Sequence, residues 1–149
     1  MSGEFVHRCR DSWGLSDPVV APNNAVPQNP CTQAGNALPP SAYAQEGKAA
    51  ANNPLASSLD LSQFPRGGPL DAQPLGGSPA YGNYVYGVYM RAAGFPLSIA
   101  LAGAEYYAWK SNASYGPGSG PMSGTVPSAN IANITNGYNA QKNGTTCHF

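Results

Sequence analysis

The chain has 149 residues, enough for one domain with a buried core and too few for two full ones. Charged residues are only 9%, and Lys plus Arg balances Asp plus Glu at seven each, which excludes the broad positive field that captures a polyanion at long range. No run approaches the roughly 18 apolar residues that cross a bilayer. The longest apolar stretch, 95–104, is broken by Pro96, Ser98 and Gly103, so no membrane span is expected.

Along the chain, residues 1–11 carry charges where a signal peptide would be apolar, so export would rest on a larger parent protein or a dedicated secretion apparatus. Residues 12–40 hold Pro18, Pro22, Pro27, Pro30, Pro39 and Pro40 among Asn, Gln and Ala, without the apolar period of helix or strand. Residues 1–39 therefore read as a Pro/Asn-rich linker or extended segment, and residues 40–149 as the folded domain. A first helix is expected from Ser41, an N-cap candidate, to Asn52 and Asn53, where Pro54 forbids continuation. A further helical turn or two is expected over Leu55–Leu61.

After a glycine-rich loop at 66–78, Ser78-Pro79 reads as an N-cap with proline at the first helical position, opening a helix to about Ala93. Gly82 and Gly87 inside it each cost up to about 1 kcal/mol against alanine, which points to close approach of another backbone or of a ligand. Gly94 stands where a left-handed C-cap belongs, and Leu97-Ser98 opens a second helix to Ser111, so the two are expected to form a hairpin. Residues 111–127 are again a Gly, Pro and Ser loop. Ser128 then caps a last helix, with Ile131, Ile134 and Tyr138 on one face, ending at Asn143-Gly144. The expected fold is mainly α: a small domain of three to four helices with long Gly/Pro-rich loops. Its nine tyrosines sit mostly at helical spacing, which assigns them to a core before a stacking surface.

Three cysteines cannot all pair within one chain. Cys9 with Cys31 is a candidate disulfide. His7, Cys9, Cys147 and His148 would make a zinc ligand set if the termini met, but adjacent Cys-His ligands are geometrically awkward, so neither metal nor cofactor is expected.

For chemistry, Arg66 and Asp71 flank the Gly67-Gly68-Pro69 turn, so Asp71 can accept a proton while Arg66 clamps an anion; the bland alternative is a turn-capping Asp and a solvated Arg. Asn83 and Tyr86 lie three apart on one helix face, aimed at a common pocket or forming a buried polar pair. His148 is suited to proton transfer near neutral pH, although its place next to the terminus favours a disordered tail.

The words Gly67-Gly68-Pro69, Asp71, Gly82-Asn83-Tyr84, Tyr86-Gly87, Ala93-Gly94 and Asn136-Gly137-Tyr138 together resemble the polymorphic toxin type 44 domain. That domain is found at the C-terminal ends of Rhs-type secreted bacterial toxins, and the resemblance covers roughly residues 60–143. It implies an effector domain delivered into a target cell as part of a larger toxin, paired with a cognate immunity protein and supposed to cut RNA. In that reading Asp71 is the base, His148 the acid and Arg66 the phosphate clamp, with Asn83, Tyr86 and Gln73 as substrate-binding candidates. The chain departs from the family at Leu70, where an aromatic is usual, and at Gln73, where a lysine is usual. Two alternatives stand beside the ribonuclease: a peptidoglycan-degrading toxin, which fits the low charge, and a non-catalytic Rhs-type tip that is bound by a partner.

Overall fold

The computed structural model describes residues 25–52, 70, 72–111, 126 and 128–149, without the side chains at 73 and 107–111. Four α-helices carry the fold: α1 (Pro40–Ala51), α2 (Pro79–Ala92), α3 (Leu97–Ser111) and α4 (Ser128–Asn143). Short 3-10 turns stand at Pro30–Gln33 and Gln73–Leu75. No strand occurs among the described residues.

The helix ends follow local chemistry. Ser78 holds extended backbone and its hydroxyl accepts the Tyr81 N–H, while Pro79 pre-sets the first helical dihedral of α2. At the other end Gly94 takes φ +88°, and the Gly94 and Phe95 N–H groups donate to Arg91 O and Met90 O. These are the paired bonds of a Schellman cap, which satisfies two carbonyls that the helix leaves open. The same pattern closes α4, where Gly144 and Thr145 donate to Gln141 O and Ala140 O. The start of α1 differs from expectation: Pro40, not Ser41, opens it, because proline at the first position needs no N–H, and Pro39 at the cap supplies no side-chain bond.

Helix α2 is the axis of the molecule. Every residue from Ala80 to Met90 is buried, so it presents no solvent face over three turns. A helix buried all round needs partners on several sides, and glycine lets two of them come close. A Cβ at Gly87 would strike the Ile134 carbonyl and the Tyr138 nitrogen of α4, and one at Gly137 would strike the Tyr84 carbonyl of α2. The two glycines thus face reciprocal backbones at one crossing. On the other side a Cβ at Gly47 of α1 would run into the Tyr89 carbonyl and stand 2.9 Å from Ala92 Cβ.

The expectation of close backbone approach at Gly87 is therefore met by a protein partner. The expected α2–α3 hairpin exists as a sequential pair, yet the intimate neighbour of α2 is α4, joined through the residue sizes at the crossing. Tyrosines fill the space between helices. Tyr43 meets Tyr81 edge to face at 6.5 Å, and the Tyr138 hydroxyl donates to Phe95 O at 2.7 Å, tying α4 to the α2–α3 corner.

Two expectations for the termini need correction. The described part of the Pro/Asn-rich segment is packed onto the domain: Cys31, Ala34 and Ala37 belong to the core, and Ser78 N–H donates to Gln33 O at 2.9 Å. Cys31 pairs with Cys147 across 116 residues, with Cα atoms 5.9 Å apart, and not with Cys9. Of the zinc set, His7 and Cys9 lie outside the described residues, and Cys147, bonded to Cys31, has no thiolate to give a metal. No group of metal-ligating side chains occurs among the described residues. The expected turns at Leu55–Leu61 and the loops at 53–69 and 112–125 lie outside the described residues.

Candidate functional site

The glycine loop returns to the body of the domain at Leu70 and Ala72, both buried, and then runs along the 30–38 segment into α2. The two stretches are stitched by backbone. Asn36 N–H donates to Leu75 O at 2.6 Å and Ser78 N–H to Gln33 O, while Gly77 N–H closes the returning stretch on itself at Ala72 O. The Ser78 hydroxyl donates to Gln33 Oε1 at 2.7 Å while accepting from Tyr81 N, so one side chain both caps α2 and fixes the neighbouring segment.

Between these stretches lies an open cleft of about 390 Å³, lined by Thr32, Gln33, Gly35, Gly76, Gly77, Ser78 and Pro79. Its described lining is backbone, hydroxyl, amide and the Pro79 ring. Among the described residues this surface offers hydrogen bonds to a neutral polar molecule and holds no charged side chain, no nucleophile–base pair and no anion clamp.

The residues named from sequence are distributed as follows. Arg66 and Asp71 lie outside the described residues. Gln73 opens the 3-10 turn Gln73–Leu75 beside the cleft, with its side chain outside the described set. Asn83 and Tyr86 are brought into the core: Asn83 is wholly buried, and Tyr86 is buried with its hydroxyl donating to Ala100 O of α3 at 2.8 Å. That bond makes Tyr86 a tie between α2 and α3. Burial, reinforced by Tyr89, pushes its phenol above the usual value, so it stays protonated through the physiological range. Neither side chain lines a surface that a substrate can reach.

His148 is exposed, with Nδ1 3.2 Å from Thr146 O. The expected disordered tail is instead anchored: Cys147 is bonded to Cys31, its N–H donates to the Tyr84 hydroxyl at 3.2 Å, and the Phe149 ring meets Tyr81 at 6.4 Å. Burial also raises the Tyr84 phenol, an effect partly offset by that same N–H. Sequence reading missed Tyr81 as a hub. Its hydroxyl donates to Leu38 O at 2.6 Å and its ring touches both Tyr43 and Phe149. Burial raises this phenol as well, followed by the influence of Tyr43 and Tyr84.

Among the described residues the basic side chains are few and have structural positions. Lys48, Arg91 and Lys142 each lie in the last turn of a helix, where a cation complements the carbonyl end of the dipole. Arg91 also sits over the Tyr138 ring, 5.7 Å from its centre. These three are spread over α1, α2 and α4 and make no basic groove among the described residues. Comparison with protein-family models, curated proteins and solved structures finds no match to the chain.

Proposed function

We propose that the chain is the effector domain of a secreted bacterial polymorphic toxin, with its chemistry centred on the loop that carries Asp71. The observation that carries this reading is the Cys31–Cys147 disulfide, which joins positions 116 residues apart. Disulfides form and persist in oxidising compartments and are rare in the cytosol, so a cross-linked small domain fits a protein folded for export. The resemblance of residues 60–143 to type 44 toxin domains supplies the class of effector. That class is supposed to cut RNA, and in such chemistry Asp71 takes the proton of the 2′-hydroxyl, with His148 and Arg66 the residues available to protonate the leaving oxygen and hold the phosphate. A cognate immunity protein and a Rhs-type parent are the partners that go with it.

A shortage of charge favours a second reading. Net charge is zero, and among the described residues the cations stand at helix C-termini and the cleft beside Gln73 has no charged lining. A neutral glycan suits that surface better than a polyanion, which makes cell-wall degradation the alternative.

The test is induced expression of the full chain in a bacterial host, once in the cytoplasm and once fused to an export signal, each beside Asp71→Ala. Cytoplasmic arrest with RNA breakdown, abolished by the substitution, supports the ribonuclease. Lysis confined to the exported form supports the glycan target. Normal growth in both, with folded protein recovered, overturns the effector reading and leaves a non-catalytic tip.

A further inference from the structure

The C-terminal segment is attached to the rest of the domain in an unusual way. Helix α4 ends in its Gly144 cap, and residues 145–149 then cross back over the first half of α2 without regular structure. Among the described residues their non-covalent ties to α2 are slight, with Cys147 packed against the edge of the core. The Cys147 N–H donates to the Tyr84 hydroxyl at 3.2 Å, and Phe149 touches Tyr81 by its edge while remaining 65% exposed. His148 is exposed. The strong link is the bond from Cys147 to Cys31.

The anchor at the other end of that bond is held quite differently. The 31–38 segment keeps the Ser78–Gln33 pair of bonds, the Asn36–Leu75 bond and the Tyr81–Leu38 bond, none of which involves the tail. The helices themselves are held by the Gly47, Gly87 and Gly137 contacts and by the tyrosine core. Cutting the sulfur bridge therefore removes the main restraint on one segment only.

We propose that the Cys31–Cys147 disulfide is a redox latch, whose reduction frees residues 145–149 and uncovers the Tyr84 hydroxyl and the edge of Tyr81. Both tyrosines lie within two turns of Ser78, so the uncovered surface adjoins the cleft of Gln33, Gly76 and Ser78. Cys147 is the less buried residue of the pair, so the exchange is written with attack on its sulfur first. A dithiol reductant attacks Cys147 Sγ through its thiolate, and Cys31 leaves as a thiolate. The second thiol of the reductant then displaces Cys147. Two electrons pass to the protein, which gains two thiols, and the reductant becomes a disulfide. The use of such a latch, closed during transport and opened in a reducing compartment, rests on the effector reading; its existence does not.

The test compares backbone order by NMR in the full oxidised chain, the same chain reduced with dithiothreitol, and the Cys31→Ser/Cys147→Ser double variant. In the oxidised chain the Cys147 amide is expected near the rigid order parameter of about 0.85, falling below about 0.6 on reduction, with α2 and α4 still near about 0.85. The double variant is expected to match the reduced chain. An ordered tail after reduction would show that the Tyr84 and Tyr81 contacts suffice and overturn the latch. Loss of helical circular dichroism in both reduced and double-variant chains would overturn it too, making the bond a staple for the whole fold. Growth assays do not enter, so failure here and failure of the toxin reading are separable.

Discussion

Helices α3 and α4 make opposite bargains with the core. Helix α4 is rich in Asn, with Thr135 and Gln141 besides, yet Asn130, Asn133, Ile134, Gly137 and Tyr138 are all buried against its neighbours. Helix α3 is the more apolar by sequence, with Leu97, Ile99, Leu101 and four alanines, yet Ile99 and Tyr106 stay exposed and the core receives Ala100 and Ala104. The difference lies in size at the point of contact. Gly87 and Gly137 let two backbones approach until any Cβ would collide, and close packing of many atoms then follows. Among the described contacts α3 shows no such crossing, and only its Ala100 and Ala104 are fully buried. In this molecule the closeness of a helix is set by its smallest residues more than by its hydrophobicity.

The sharpest way to break the contrast is Gly137→Ala. The new methyl meets the Tyr84 carbonyl, so α4 must move, and the expected loss is about 3 kcal/mol, or roughly 10 °C in Tm by calorimetry. A loss under 1 kcal/mol would mean that the crossing is looser than described. Gly94→Ala, by contrast, meets no atom within 4 Å and pays only for a non-glycine residue at φ +88°, about 1 kcal/mol in urea unfolding.

The tie from α2 to α3 is tested by Tyr86→Phe, expected to cost about 1 kcal/mol at neutral pH by removing the bond to Ala100 O. The same residue gives a pH signature. Its folded-state phenol lies above the unfolded value of 10.0, so its contribution is complete below that pH and is lost as pH rises beyond it. Stability of the parent chain should fall above pH 10 by up to about 1.4 kcal/mol per pH unit from this group, a slope that Tyr86→Phe removes. Smallest of all, Ile99→Ser on the exposed face of α3 should change stability by less than about 0.5 kcal/mol. A larger loss would show that α3 is covered in solution.

Sequence carried the helices almost to the residue, because their ends are written in local chemistry: Ser78-Pro79 at one end of α2, Gly94 beyond the other, and Gly144 after α4, whose first position is Ser128 itself and not the cap expected there. Pairing was less legible. Gly87 announced a close approach, but nothing local named Gly137, fifty positions on, as its counterpart, since the match exists only in three dimensions. Cysteine pairing was hidden for the same reason: three thiols allow three single bridges, and distance chooses among them. Of the candidate site, Asn83 and Tyr86 shared a helical face as expected, but an entirely buried α2 has no face turned to substrate. Tyr81 gave no signal beyond its aromatic type, because its role comes from Leu38, Tyr43 and Phe149, all remote in sequence.

The Cys31–Cys147 bond also places two distant positions of the chain side by side, 5.9 Å apart at Cα. A ring closed covalently across 116 positions cannot spread to its full contour length even when its helices melt, so unfolding releases less chain disorder here than it would from a linear chain.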